Sequence, residues 1–291
     1  MAPRAAVPVT RLWHVLHLRV PDEERELAVA ALSEFPLNGI EEDPEELVHL
    51  AAVAAAPWDL PRVEDACAEV GISRVRLTFE ELPDDDWLAL WKRDWTPTPL
   101  GKRLVAVPAW WDGALPAGRL PVRIDPGRAF GTGTHATTAL AWQLVEEVLE
   151  RHPSWMLDVG TGSGLLALGA LTLAPDLLAV GTELDPDALP SIRANLEINP
   201  ASSRFLPVQA THIPARPASC PLVVANMTHA ELMAVEADLV RALAPGGHLV
   251  AGGYLAEQVA EGTSRWNALG LKRIQAPSRD GWTTLLLKLN S

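Results

Sequence analysis

Cysteine is scarce in this chain: 291 residues contain only Cys67 and Cys220. The two lie far apart and neither belongs to a Cys-x-x-Cys pair, which argues against a disulfide framework and against a zinc site. A reduced, cytoplasmic compartment is the expectation. Long apolar runs are missing too. None reaches the roughly 20 residues that a membrane helix requires, so no membrane association is expected. The segment Met1–Thr10 has one arginine and no long apolar core, and does not read as a secretion signal. Lysine is rare, with four residues (Lys92, Lys102, Lys272, Lys288) against 20 arginines. With abundant alanine, leucine and proline, that imbalance reads as the codon bias of a GC-rich genome.

Positive charge is in deficit, and the net charge is −13. Broad nucleic-acid binding is disfavoured, because affinity for a phosphate backbone comes mainly from Lys and Arg. A basic protein partner would be steered favourably instead. The acid is uneven: between Asp22 and Glu46 there are ten acidic residues and one basic, Arg25. That stretch reads equally as a solvated acidic surface or as a docking face.

The first 80 residues read as a small α+β sandwich of ferredoxin-like type. Strand formers fill 12–20, a helix over 23–35 follows Pro21 and Asp22, and 36–40 reads as a turn ahead of an acidic loop. A second apolar stretch spans 47–56, a helix spans 61–70 and ends at Gly71, and 75–79 alternates as a strand. Trp87, Leu88, Trp91 and Trp95 then recur at helical spacing in a segment with acids first and Lys92-Arg93 last, the order a helix dipole favours. The stripe reads first as core-facing. The expected division is a substrate-recognition domain over 1–82, a helical linker over 83–103 and a large domain over 104–291. From Leu104 onward short apolar strands (104–107, 122–124, 155–159, 179–183, 222–225, 248–252, 283–289) alternate with helices (135–151, 164–173, 186–197, 229–243, 256–269). This predicts a doubly wound, mostly parallel α/β sheet.

The chemistry concentrates in that large domain. Asp158-Val-Gly160-Thr-Gly162-Ser-Gly164 joins a strand to a helix start. Its glycines let the backbone turn sharply and approach a ligand. A dinucleotide fingerprint would need a third glycine where Leu165 stands, and no Gly-Lys-Ser/Thr follows as in a P-loop. Glu183, 21 residues after Gly162 at a strand end, suits ribose hydroxyls, while Asp185 reads as the cap of a helix beginning at Pro186. Asn226 ends another apolar strand and places an amide at the carboxyl edge of the sheet; His229 reads first as a helix-start residue.

The spacing Asp158-x-Gly160-x-Gly162-x-Gly164 resembles motif I of class I methyltransferases. Asp125-Pro-Gly-Arg-Ala-Phe130-Gly131-Thr-Gly-Thr-His135-Ala-Thr137-Thr138, taken with 86–94 and Asn226, resembles the PrmA-type methyltransferases. These modify the ribosomal protein L-eleven of the large-subunit stalk base. The likeness is strongest over 84–260. It implies a Rossmann-like class I fold that binds S-adenosylmethionine. Phe130, Gly131, Thr137, Asp158, Gly160, Gly162, Glu183 and Asn226 would bind that cofactor. Asn226, Thr137 and Thr138 would act at the transferring methyl, and the acceptors would be lysine side chains or the N-terminal α-amine. His135 reads equally as a catalytic group and as a helix-start residue. Glu183 stands where relatives often have Asp, and Met227, Thr228 and His229 replace the aromatics that follow Asn in nucleobase enzymes. A monomer without a metal site is the expectation. A methyltransferase for another protein or small amine would share every cofactor motif, and a non-catalytic cofactor-binding scaffold is the reading from a different class.

Overall fold

The computed structural model describes residues 12–21, 24–32, 35, 39–43, 48–54, 57–72, 75–83, 95–125, 133, 135–186 and 188–290. The chain forms two compact units, Met1–Trp95 and Thr96–Ser291.

The first unit runs β1 (Leu12–Val20), α1 (Arg25–Leu32), β2 (Gly39–Asp43), β3 (Val48–Ala54), α2 (Leu60–Glu69) and β4 (Arg76–Pro83). Its sheet has the order β2-β3-β1-β4, and every pair is antiparallel. Alternation along β1 turns Leu16, Leu18 and Val20 to one face. There they pack with Ala28, Ala31 and Leu32 of α1 and Val63, Ala66 and Cys67 of α2. Asp59 caps α2 by accepting the Arg62 amide at 3.3 Å. The expected acidic loop after the 36–40 turn is corrected: Gly39–Asp43 is an edge strand in register with β3, Glu41 opposite Ala51. Charge is well tolerated on an edge, which explains why an acid-rich stretch can pair there. The tryptophan stripe at Trp87, Leu88 and Trp91 lies outside the described residues, whereas Trp95 is buried.

The second unit opens with β5 (Thr98–Leu100), β6 (Leu104–Pro108) and β7 (Leu120–Ile124), which form a three-stranded sheet in that order. Glu146 anchors its first turn, accepting the amides of Lys102 at 2.7 Å and Arg103 at 3.2 Å. Then follow α3 (Ala136–Leu149), β8 (Trp155–Val159), α4 (Leu165–Leu173), β9 (Leu178–Glu183), α5 (Leu189–Glu197), β10 (Phe205–Gln209), β11 (Cys220–Asn226), α6 (His229–Ala242), β12 (Leu243–Leu255), α7 (Val259–Ala268), β13 (Leu271–Gln275), β14 (Ser278–Arg279) and β15 (Trp282–Leu289). The main sheet has the order β10-β9-β8-β11-β12-β15-β13, with β14 also on β15. Strands β10, β9, β8, β11 and β12 run parallel, and β15 is antiparallel to β12, β13 and β14. From β8 onward the alternation of strands and helices gives the doubly wound, mostly parallel sheet it predicts, whereas the expected strands 104–107 and 122–124 pair with each other and with β5 in the separate three-stranded sheet. Near-continuous burial along β11, β12 and β15 is what a sheet covered on both faces demands. From β8 the chain winds outward through β9 and β10, then returns to β11 on the other side. The switch point is thus the β8/β11 boundary, where ligands of such folds bind beyond the strand ends. Among the described residues no helix is long and apolar enough to cross a membrane.

Candidate active site

At that boundary lies a cleft of about 670 Å³, built entirely within the second unit. It is lined by Gly160–Ser163 after β8, Thr182–Asp185 after β9, Ala210–Ile213 after β10, Asn226–Thr228 after β11, His135, Thr137 and Thr138 at the start of α3, and Trp282. Its size and largely apolar lining suit a small organic ligand.

The glycine loop forms its floor. Gly160, Gly162 and Gly164 have φ of +67°, +54° and +82°, a region that costs any other residue roughly 1–2 kcal/mol. The loop is held from below. Thr161 donates its amide to the Thr182 carbonyl at 2.9 Å and its hydroxyl to Asp158 at 2.7 Å. Asp158 is 1% exposed and is not among the lining residues. Burial pushes its carboxyl up to about 6, against the hydrogen bond from Thr161. It acts on the loop instead of facing the cleft, because a carboxylate at a strand end beneath a tight turn meets the turn's own donors first.

Glu183 ends β9 and reaches back to the loop. Its Oε2 accepts the Gly162 amide at 3.0 Å, and its Oε1 accepts those of Leu184 at 2.8 Å and Asp185 at 3.2 Å. Three of about four acceptor sites on the carboxylate are engaged. The group is therefore fixed in orientation, with room for a ligand hydroxyl. Asp185 lines the cleft, but α5 begins at Leu189 with Ala188 as its N-cap, three residues beyond the expected Pro186 start. Pro190 in the first turn supplies the start signal that Asp185 was expected to give.

The opposite wall is made by α3 and β11. His135 is the N-cap of α3: its Nδ1 accepts the Thr137 amide at 3.3 Å. A nitrogen that accepts is unprotonated, and burial lowers the His135 pKa, so the ring is neutral. The Thr137 hydroxyl, 2.8 Å from Nδ1, donates to it and turns its lone pairs to Asn226 Nδ2 at 3.5 Å. The edge of His135 packs against Trp282, with ring centroids 5.3 Å apart. Asn226 Oδ1 and Thr138 Oγ1 are both buried without a protein partner. Asn226 Oδ1 lies over Gly252, where a Cβ would collide with it. His229 is the first residue of α6, after a capping box made by Thr228 and Glu231. The structure thus gathers Thr137, Thr138, Gly160, Gly162, Glu183 and Asn226 around one cleft; Phe130 and Gly131 lie outside the described residues.

Trp282, Thr211, His212 and Ile213 line the same cleft, although nothing in their local sequence singles them out. Only the register of β15 and the turn after β10 could have found them. Among the described residues no group of His, Cys, Asp and Glu is arranged to hold a metal ion.

The family described as "Ribosomal protein L11 methyltransferase (PrmA)" matches residues 13–290. A protein named ribosomal protein L11 methyltransferase from Symbiobacterium thermophilum is 38% identical over 72% of this chain and 67% of its own length. Another of that name from Geobacter sulfurreducens is 34% identical over 89% of this chain and 87% of its own. In fold, the chain is similar to the crystal structure of a ribosomal protein L11 methylase from Lactobacillus delbrueckii subsp. bulgaricus, with a TM-score of 0.62 and 24% identity over 68% of this chain and 100% of that one. A match that runs through both units and takes in the glycine loop, Glu183 and Asn226 places this chain in the ribosomal protein L11 methyltransferase (PrmA) family.

Proposed function

We propose that this protein transfers methyl groups from S-adenosylmethionine to amino groups of ribosomal protein L11, the lysine side chains or the N-terminal α-amine. One observation carries the reading: Asn226 and Thr137 meet at 3.5 Å on the cleft wall opposite a loop of three left-handed glycines. The cleft fits the cofactor on three counts. The glycine turn gives close backbone approach, Glu183 offers an oriented carboxylate for a ribose hydroxyl, and Thr138 Oγ1 is a buried polar atom that lacks a protein partner. Gly160 and Gly162 would line it, with Asp158 supporting the loop from beneath; Phe130 and Gly131 would border it. When bound, the cofactor supplies a methyl group on a cationic sulfur.

The protein's own contribution is alignment, which in an in-line displacement supplies most of the rate. Asn226, steadied by Thr137, orients the acceptor amine through its side-chain amide. Thr138 offers a second hydroxyl beside it. The amine must be neutral to attack, and an ordinary lysine titrates near 10.4. Apolar lining from Val159, Ile213, Met227 and Val235 favours the neutral form by desolvation, and the proton leaves to water. His135 is a structural cap in this scheme, since its Nδ1 is committed to Thr137.

The first unit would present the protein substrate. Its β-α-β-β-α-β order and all-antiparallel sheet support the ferredoxin-like reading. Its acid-rich stretch over 22–46 suits a basic client. A monomer acting in the cytoplasm, without broad nucleic-acid binding, completes the reading.

The test incubates the purified protein with methyl-labelled S-adenosylmethionine and purified L11. Label on L11 amines is expected. Label on a different protein or on a small amine would move the substrate assignment, and cofactor binding without any transfer would favour a scaffold.

A further inference from the structure

Asn195 lies in the last turn of α5 and Asn199 two residues past its end, and both are buried. Their two side-chain amides address Arg123 in β7 and Asp125 just past its end. Asn199 Oδ1 accepts the Arg123 amide at 3.0 Å, and its Nδ2 donates to the Arg123 carbonyl at 2.7 Å. Asn195 Oδ1 accepts the Asp125 amide at 2.7 Å. Among the described residues β7 is the edge of its sheet, and the two asparagines bond to its free side.

Each asparagine makes one more bond: Asn199 Nδ2 also donates to the Asn195 carbonyl at 2.7 Å, whereas Asn195 turns its own amide to the loop. Its Nδ2 donates to the Ser163 carbonyl at 2.9 Å, inside the glycine loop. That bond fixes the peptide plane between Ser163 and Gly164, whose N–H closes the turn on the Thr161 carbonyl at 2.9 Å. Both Asn195 and Ser163 are 0% exposed, so water cannot replace the contact. The loop is thus gripped on one side by Glu183 and Thr182 and on the other by Asn195. Only a side chain with one donor and one acceptor on a short planar group can bridge Ser163 and Asp125. Aspartate lacks the donor and alanine lacks both.

We propose that Asn195 is a positioning residue of the methyl-donor site: its amide sets the register between the glycine loop and β7, and that register sets donor affinity. The inference rests on the methyl-donor reading above. It is tested on the full chain with S-adenosylhomocysteine as the calorimetric probe, together with donor KM and kcat. Leaving the Ser163 carbonyl unpaired in Asn195→Ala, or facing a second acceptor in Asn195→Asp, is expected to weaken binding about tenfold or more. The loss should appear in donor KM, with kcat at saturation within about threefold, as expected for lost ground-state binding. Asn199→Ala removes the bonds to Arg123 and to the Asn195 carbonyl but keeps the Asn195 side-chain amide on Ser163, so it should lower the Tm and leave affinity within about twofold. If Asn195→Ala does not fold, Asn195→Asp decides, because it keeps the shape and the Asp125 bond. Unchanged affinity in that variant, or equal weakening by the Asn195 and Asn199 changes, overturns the proposal. A wild-type chain that binds no S-adenosylhomocysteine overturns the methyl-donor reading itself.

Discussion

Glu183 accepts the Gly162 amide at 3.0 Å across 21 residues of sequence, joining the end of one strand to the loop after its neighbour. The same carboxylate therefore shapes the loop and faces the cleft. Glu183→Gln loses the charge and one acceptor oxygen while keeping the length. Hydrogen bonds to charged groups contribute about 1.5–3 kcal/mol, so S-adenosylhomocysteine should bind roughly 10- to 100-fold more weakly by titration calorimetry. Affinity within a factor of about two of wild type would remove Glu183 from the ribose site.

Asn226 is expected to separate binding from turnover. Asn226→Ala should cut kcat by about 10²-fold through misplacement of the acceptor while leaving cofactor affinity nearly unchanged. Thr137→Val, which removes the hydroxyl that steadies the amide, should act in the same direction but more weakly. Steady-state rates with saturating cofactor decide it. A fall in cofactor affinity with intact kcat would assign Asn226 to the donor alone.

Asp158 gives the protein a pH signature. Its native pKa lies near 6, above its unfolded value of 3.8, so between those values the native state holds more of that proton than the unfolded chain. The carboxyl therefore subtracts stability as pH rises through this window, by up to roughly 3 kcal/mol at about 1.4 kcal/mol per unit. His135 and His248 work the other way: their lowered pKa values remove stability as pH falls below about 6.5. Comparing Asp158→Asn with wild type cancels the histidines. The unfolding free energy of the variant relative to wild type should rise from pH 4 to pH 7, measured by urea denaturation. A difference that does not change with pH would contradict the burial of a titrating carboxyl.

Removing residues 1–95 should leave a second unit that binds S-adenosylhomocysteine as wild type does, since every lining residue of the cleft lies beyond Thr96. Methylation of the ribosomal protein should be lost. Retained methylation, read by label transfer, would refute substrate presentation by the first unit.

Much of this site is legible in sequence because its key groups are consecutive. The run from Asp158 to Gly164 is a local device, and the observed β8 spans Trp155–Val159 as the apolar run predicts. Glu183 and Asn226 each end an apolar strand, and strand ends at a sheet's carboxyl edge are where such chemistry must lie. What stayed hidden depends on tertiary pairing. The strands Phe205–Gln209 and Leu271–Gln275 carry mixed burial, so neither reads as an apolar run. Trp282 reaches the cleft only because β15 inserts antiparallel beside β12. Asn195 and Asn199 look like ordinary polar helix residues until β7 lies against them. Asp185 misled for the opposite reason: a good local capping signal lost to a later start at Leu189.

That inserted strand also orders events during synthesis. Among the described residues, β13 pairs with β15 alone, and β15 is also the partner of β12 on that side. A nascent chain that has emerged as far as Gln275 thus carries two bare ladder edges in the same sheet, a state open to wrong partners. The glycine loop, Glu183 and Asn226 are all translated by then, yet the wall that holds Trp282 is not. A cleft walled by Trp282 therefore forms only after β15 has joined β12, later than the segments that carry the glycine loop, Glu183 and Asn226.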